Sequence, residues 1–172
     1  MPNMLIIAGE GRNVGKTWLA CRIIRQLSVS EDVTAMKISS HFHETDQQDI
    51  FFEKKGRYII LEEKSISGKD SSLMLQAGAK KVFFIMAPGE YLREAFLLVR
   101  PFLEEGPVVC ESGGLINIVQ PGVFLFVKRP GTPVPGTLLL QYDPVIVSHD
   151  PENPDMTAGS FEFTDKRMIR KG

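Results

Sequence analysis

The segment Gly9-Glu10-Gly11-Arg12-Asn13-Val14-Gly15-Lys16-Thr17 near the start of the chain carries the residue types that grip phosphate. In such a loop successive backbone N–H groups and a helix amino terminus point at an anion. The lysine adds a positive charge near the β and γ phosphates, and the threonine hydroxyl takes magnesium. The ordinary pattern G-x-x-x-x-G-K-[ST] wants glycine at position 10, where this chain has Glu10. None of those tasks needs that glycine. They need Gly15-Lys16-Thr17 to open a helix directly behind a strand and a glycine-bearing turn; the alternative is a chance G-K-T at a helix start.

Other polar residues gather at the ends of apolar runs. Lys37 closes Val33 to Ile38 and is followed by Ser39-Ser40-His41-Phe42-His43, with Glu44 and Asp46 nearby; Glu111 closes Pro107-Val108-Val109-Cys110; Ser148-His149-Asp150 follows Pro144 to Val147. In open α/β sheets ligands collect beyond the carboxyl ends of strands, so each of these is a site candidate. Lys37 reads either as a solvated lysine or as a second cation facing phosphates. His41 and His43, two apart, share a side of an extended segment and can be metal ligands or simply a polar loop. Asp70 can be a helix cap alone. Glu111 is the most telling, because a carboxylate emerging from an apolar strand is costly to desolvate unless a cation sits beside it.

The elements that must hold these residues follow from hydrophobic periodicity. Met4 to Ala8 reads as a buried strand, and Lys16 to Leu27 has apolar residues at helical spacing. Val33 to Ile38, Lys81 to Met86, Pro107 to Glu111, Val123 to Val127 and Pro144 to Val147 are further strands, and Asp70 to Ala79 and Gly89 to Glu105 are helices. Ile50 to Glu53 and Tyr58 to Leu61, around the turn Lys54-Lys55-Gly56-Arg57, form an expected edge hairpin. Strands alternating with helices indicate βαβ units, hence an α/β fold with a mostly parallel sheet covered on both faces. Arg129 to Gly136 is a turn-rich loop.

The chain has 172 residues, 43% hydrophobic and 24% charged, with a formal net charge of -1. Those values predict one domain over 1–163 and argue against nucleic-acid or acidic-membrane partners, which need a basic excess or patch. The basic cluster from Lys166 to Lys171 reads as a solvated, mobile tail spanning 164–172. Cys21 and Cys110 lack metal-ligand spacing and are expected as reduced core thiols. With neither a leader pattern nor a membrane-length apolar run, a cytoplasmic location is expected.

The loop pattern G-x-x-x-x-V-G-K-T, Gly9 to Thr17 here, resembles that of dethiobiotin synthetase and the cobyrinic acid amidating enzymes, in which the longer spacing is itself a family trait. A closer resemblance, over most of the chain, is to the molybdopterin-guanine dinucleotide biosynthesis protein B family. It rests on Lys37 with the segment His41 to Asp46, and on Gly68-Lys69-Asp70-Ser71 leading into a helix that ends Ala77-Gly78-Ala79. The resemblance implies a three-layer P-loop NTPase-like fold, magnesium with GTP or ATP as cofactors, and a homodimer. By likeness to dethiobiotin synthetase, Thr17, Asp70 and Glu111 are the implied magnesium ligands.

Nucleotide would then meet Gly11, Arg12, Asn13, Val14, Gly15, Lys16, Thr17 and Trp18, with Lys16 and Lys37 as the catalytic cations. Lys37 would stabilise charge developing on the γ phosphate. Arg12 is a candidate for reaching a partner subunit's nucleotide. Glu111-Ser112-Gly113-Gly114 departs from the nearer relatives, which have glycine and then a bulky residue after the glutamate. No Asn-Lys-x-Asp element follows the late strand; Asp150 there can pair with a guanine edge or begin the turn into Pro151. The expected activity is slow nucleotide hydrolysis in molybdenum-cofactor-type biosynthesis, on a pterin-type or other small-molecule second substrate. The alternatives are a kinase or ligase acting on a small molecule, and a regulatory domain without turnover.

Overall fold

The computed structural model describes residues 1–45, 49–103, 105–133, 136, 141–149 and 159–171. Among them the central element is an α/β arrangement around an eight-stranded, mostly parallel sheet. In chain order the elements are β1 (Met4–Gly9), α1 (Lys16–Leu27), β2 (Thr34–Ser39), β3 (Ile50–Lys54), β4 (Tyr58–Glu62), α2 (Asp70–Gln76), β5 (Lys81–Met86), α3 (Gly89–Val99), β6 (Val108–Glu111), β7 (Val123–Lys128), β8 (Val145–Ser148), β9 (Ser160–Thr164) and β10 (Arg167–Lys171). The sheet order is β3-β4-β5-β2-β6-β1-β7-β8.

β1 lies between β6 and β7, parallel to both. A strand so placed is covered on both faces, which is why it reads as an unbroken apolar run. Its side chains alternate between two cores. Leu5 and Ile7 join the layer containing Leu19, Ile23 and Leu27 of α1 and Met74 of α2, whereas Met4, Ile6 and Ala8 join the layer containing Ala95, Phe96 and Val99 of α3. Helices therefore cover both faces. From β1 the chain runs through α1 to β2, and from β6 it crosses to the other side of β1 to reach β7. That reversal opens a crevice at the carboxyl ends of β1, β2 and β6.

The expected hairpin is present as the antiparallel pair β3–β4, added to the edge through β4–β5 pairing, with Arg57 N donating to Lys54 O across its turn. The third helix is shorter than its periodicity suggests. It ends at Val99 and tightens into a 3-10 turn, Arg100–Phe102, because Pro101 has no N–H to continue the ladder.

The expected mobile tail is corrected. β9 and β10 pair as an antiparallel hairpin turning at Asp165 and Lys166, both in the left-handed region (φ 52 and 58), as a tight primed turn requires. Phe161 and Met168 are buried in the α1-side core, and Gln26 Nε2 donates to Phe161 O at 2.8 Å. Met168 alone is buried in β10 while Arg167, Arg170 and Lys171 are exposed, so charge concealed a strand anchored by one inward residue.

Candidate functional site

The glycine loop leaves β1 at Gly9, where a Cβ would stand 2.7 Å from Val127 O, so the close approach of β7 demands glycine. Glu10 extends the contact with β7, its N–H donating to Val127 O at 2.9 Å. Its carboxylate accepts from Thr132 Oγ1 at 2.8 Å, and Lys128 Nζ donates to Thr132 O at 2.6 Å. The residue that departs from the ordinary motif thus ties the loop's shoulder to the turn after β7.

Beyond Glu10, positive φ recurs at Gly11 (70), Asn13 (57) and Gly15 (88). Asparagine is among the few non-glycine residues that enter this region readily. Alternation of this kind turns backbone N–H groups toward one concavity, the geometry of an anion nest. Gly15 is also the N-cap of α1, which has neither a side-chain cap nor an acidic residue in its first turn, leaving its first N–H groups and dipole end for an anion. Val14 is fully buried, so only its backbone faces the loop's concavity, while Arg12 and Asn13 are exposed. Lys16 Nζ folds back to donate to Gly11 O. Burial holds the Lys16 ammonium below the ordinary lysine range; Glu111 and Asp70 oppose that shift and Lys37 adds to it.

Strand register assembles the second half of the site. Lys37 on β2 is the register partner of Glu111 on β6, and Glu111 is also paired with Ile7 on β1. Neighbouring partners on parallel strands face the same side of the sheet, here the side covered by α1 and α2. Thr17 from α1 and Asp70 from α2 reach the same point. Thr17 Oγ1 donates to Glu111 Oε2 at 2.7 Å, and Lys37 Nζ donates to Asp70 Oδ2 at 2.7 Å, Glu111 Oε2 at 3.2 Å and Thr17 Oγ1 at 3.2 Å. Side-chain exposure is 9% for Glu111 and 16% for Lys37 but 61% for Asp70, so the buried carboxylate is the centre and the aspartate its solvent-facing rim.

The three expected magnesium ligands are therefore brought together, with a lysine ammonium among them. Two carboxylates and a hydroxyl form an all-oxygen donor set. Magnesium prefers such a set, taking one or two carboxylates and completing its octahedron with water and phosphate oxygens. Among the described residues there is no group of three or more His, Cys, Asp or Glu side chains placed to hold a metal. His41 and His43 stand apart from the cluster. His43 Nε2 lies 3.1 Å from Ser39 Oγ with its ring tilted on Phe84, and His41 is held through backbone contacts to Ser39. They form the polar loop reading, exposed on one wall; Asp46 lies outside the described residues.

These parts line one cleft of about 730 Å³, running from Gly11 and Lys16 past Lys37 and Glu111 to Ser39 and His43. Its other wall is His149, a residue without an assigned role in the sequence. The imidazole covers Gly15, where a Cβ would fall 2.2 Å from the ring, and stacks on Trp18 at 5.7 Å with 21° between planes. The Arg22 guanidinium lies 5.6 Å over the indole. His149 Nδ1 is buried and has no hydrogen-bond partner among the described residues. Its position at the end of β8 was the only signal available for it; Asp150 lies outside the described residues. Ser112 is a structural residue, its Oγ accepting from the N–H groups of Gly114 and Leu115 to cap a 3-10 turn.

A larger depression, about 990 Å³, opens at the amino ends of β2 and β5, near Glu31, Asp32, Lys80 and Phe102. Among the described residues it has neither convergent buried polar groups nor a helix amino terminus. Cys21 and Cys110 are free and buried, and burial raises both thiols above the ordinary range, leaving them poor nucleophiles. No helix among the described residues is long and apolar enough to cross a membrane. The chain matches no family model, no curated protein and no solved structure.

Proposed function

We propose that the chain is a magnesium-dependent P-loop protein that binds a purine nucleoside triphosphate, ATP or GTP, at the cleft around Gly11 to Trp18. The observation that carries this reading is the meeting of an uncapped helix amino terminus behind a positive-φ loop with Lys16 and a partly buried Thr17–Glu111–Lys37 cluster. Loop amides and Lys16 hold the β and γ phosphates; Thr17, Glu111 and Asp70 hold magnesium, which when bound neutralises phosphate charge. Lys37 stabilises charge gathering on the terminal phosphate oxygens. On the likeness to the molybdopterin-guanine dinucleotide biosynthesis protein B family, the protein is a slow hydrolase or accessory protein in molybdenum-cofactor-type biosynthesis and forms a homodimer. Arg12 is exposed on the loop, which supports its candidacy for reaching a partner subunit's nucleotide.

A second reading is favoured by the cleft itself, which continues beyond Lys37 to Ser39 and His43 and has room for a small-molecule acceptor. It makes the protein a kinase or ligase of the dethiobiotin synthetase kind. Melting curves with ATP, GTP and their diphosphates, with and without magnesium, followed by phosphate release, test both. Magnesium with a triphosphate should raise the melting temperature, and Lys16→Ala should abolish the rise. If no nucleotide moves the parent's melting temperature, both readings fail. Turnover that appears only when a small acid or alcohol is added would select the second.

A further inference from the structure

The Lys37 ammonium has three N–H donors, and all three have acceptors: Asp70 Oδ2, Glu111 Oε2 and Thr17 Oγ1. Those are the oxygens a magnesium ion at this site would take. Glu111 is buried, and a buried carboxylate needs a cation beside it. In the structure that cation is Lys37. A divalent ion seated on the same oxygens would stand at contact distance from the ammonium, and like charges so close repel strongly in a partly buried site. Metal and ammonium therefore exclude each other.

We infer that Lys37 is an internal cation that keeps the Thr17–Asp70–Glu111 pocket closed to divalent metal until the terminal phosphate of a nucleotide draws the ammonium away. This deepens the nucleotide reading and rests on it for the identity of the releasing anion. The side chain springs from the carboxyl end of β2, at the cleft that also holds Gly11 and Lys16, so a bound phosphate offers the ammonium a replacement for the carboxylates it leaves. Metal entry and phosphate entry are then coupled through one side chain, each raising the affinity for the other. A bare metal ion, without phosphate to receive Lys37, meets carboxylates already engaged by an ammonium.

The test measures Mn2+ binding, by loss of the free-ion electron paramagnetic resonance signal, in the full chain without nucleotide. Lys37→Met and Lys37→Gln remove the competing charge and should bind Mn2+ about tenfold or more tightly than the parent. Adding Glu111→Gln to either should erase the gain. Unchanged or weaker Mn2+ binding by a folded Lys37 variant overturns the inference. The parent supplies a measurement that needs no variant: Mn2+ at a concentration that fills the Lys37 variants should leave the rate at which Lys37 of the nucleotide-free parent is reductively methylated unaltered, and a raised rate also overturns it. Melting curves of the parent with magnesium and ATP or GTP separate the two levels. A rise in melting temperature with unmoved Mn2+ affinities sinks the cation exchange alone. No rise, with Mn2+ captured by the variants, sinks the nucleotide reading and leaves the exchange standing.

Discussion

Two lysine–carboxylate contacts sit at opposite ends of the central sheet. At the amino ends, Lys80 meets Asp32 with side chains 67% and 74% exposed; at the carboxyl ends, Lys37 meets Glu111 with side chains 16% and 9% exposed. The first pair is in water, where Coulomb gain and side-chain ordering nearly cancel. The second is largely desolvated, so removing either partner leaves the other without its nearest counter-charge. A lysine and a carboxylate thus make a surface contact at one end and a poised site at the other. What differs is the register that turns Lys37 and Glu111 to one face beneath α1 and α2.

The largest expected effect exploits that contrast. Lys37→Met leaves Glu111 buried without its counter-cation and should cost about 3 to 4 kcal/mol in urea unfolding with EDTA present. Lys80→Ala should change stability by less than about 0.5 kcal/mol. Mn2+ should return part of the loss to the Lys37 variant and nothing to the Lys80 variant. Equal losses at both ends would mean that burial does not distinguish the two pairs.

Next in size is a contrast inside the loop. Gly15 and Gly11 both have positive φ, but an added Cβ at Gly15 runs into His149, whereas at Gly11 no atom of the described residues stands within 4 Å. Gly15→Ala should therefore cost about 2 to 3 kcal/mol, strain and overpacking together, and Gly11→Ala about 1 kcal/mol from backbone strain alone. Combining Gly15→Ala with His149→Ala should recover the overpacking part; a purely additive double variant would remove His149 as the buttress of the loop.

A smaller effect follows from Lys16. Its folded pKa lies below the ordinary 10.5, chiefly through burial. Between the lowered value and 10.5 the unfolded chain binds the extra proton, so stability rises with pH across that window and levels off above it. Affinity for a phosphate anion runs the other way, because binding needs the ammonium. Titration with pyrophosphate should show affinity falling at a pH below the ordinary lysine value, and Lys16→Gln should bind weakly with that fall absent.

Much of this frame is legible in the residues. Unbroken apolar runs such as Met4 to Ala8 mark strands buried on both faces, and Lys37, Asp70 and Glu111 stand out as polar residues closing or opening elements. What one-dimensional pattern lacks is register. That Lys37 takes the cation's place depends on its pairing with Glu111 across β2 and β6. The cover of Gly15 by His149 is a contact between the first and the last strand-end of the parallel sheet. The β9–β10 hairpin was hidden for a different reason: Arg167, Arg170 and Lys171 dominate its composition, while only Phe161 and Met168 are buried among its residues. A strand with one wet face is defined by its few inward residues.

Glu10 gives the smallest and most local prediction. Its carboxylate accepts one hydrogen bond from Thr132 Oγ1, at a partly buried point between the glycine loop and the turn after β7. A single bond of that kind contributes about 1 kcal/mol, so Glu10→Ala and Thr132→Val should each lower stability by roughly that amount. Thr132→Val also removes the hydroxyl's other acceptor contact, Arg129 O at 2.8 Å, so the double variant should lose little more than Thr132→Val alone. The informative readout is local: amide exchange at Gly11 to Gly15 should quicken in either variant while exchange in β1 stays as in the parent. Backbone pairing between Glu10 N and Val127 O survives both changes and holds the strand end in place. If loop exchange is unaltered, the positive-φ turns and the His149 buttress fix the loop without Glu10, and the longer motif is spacing alone.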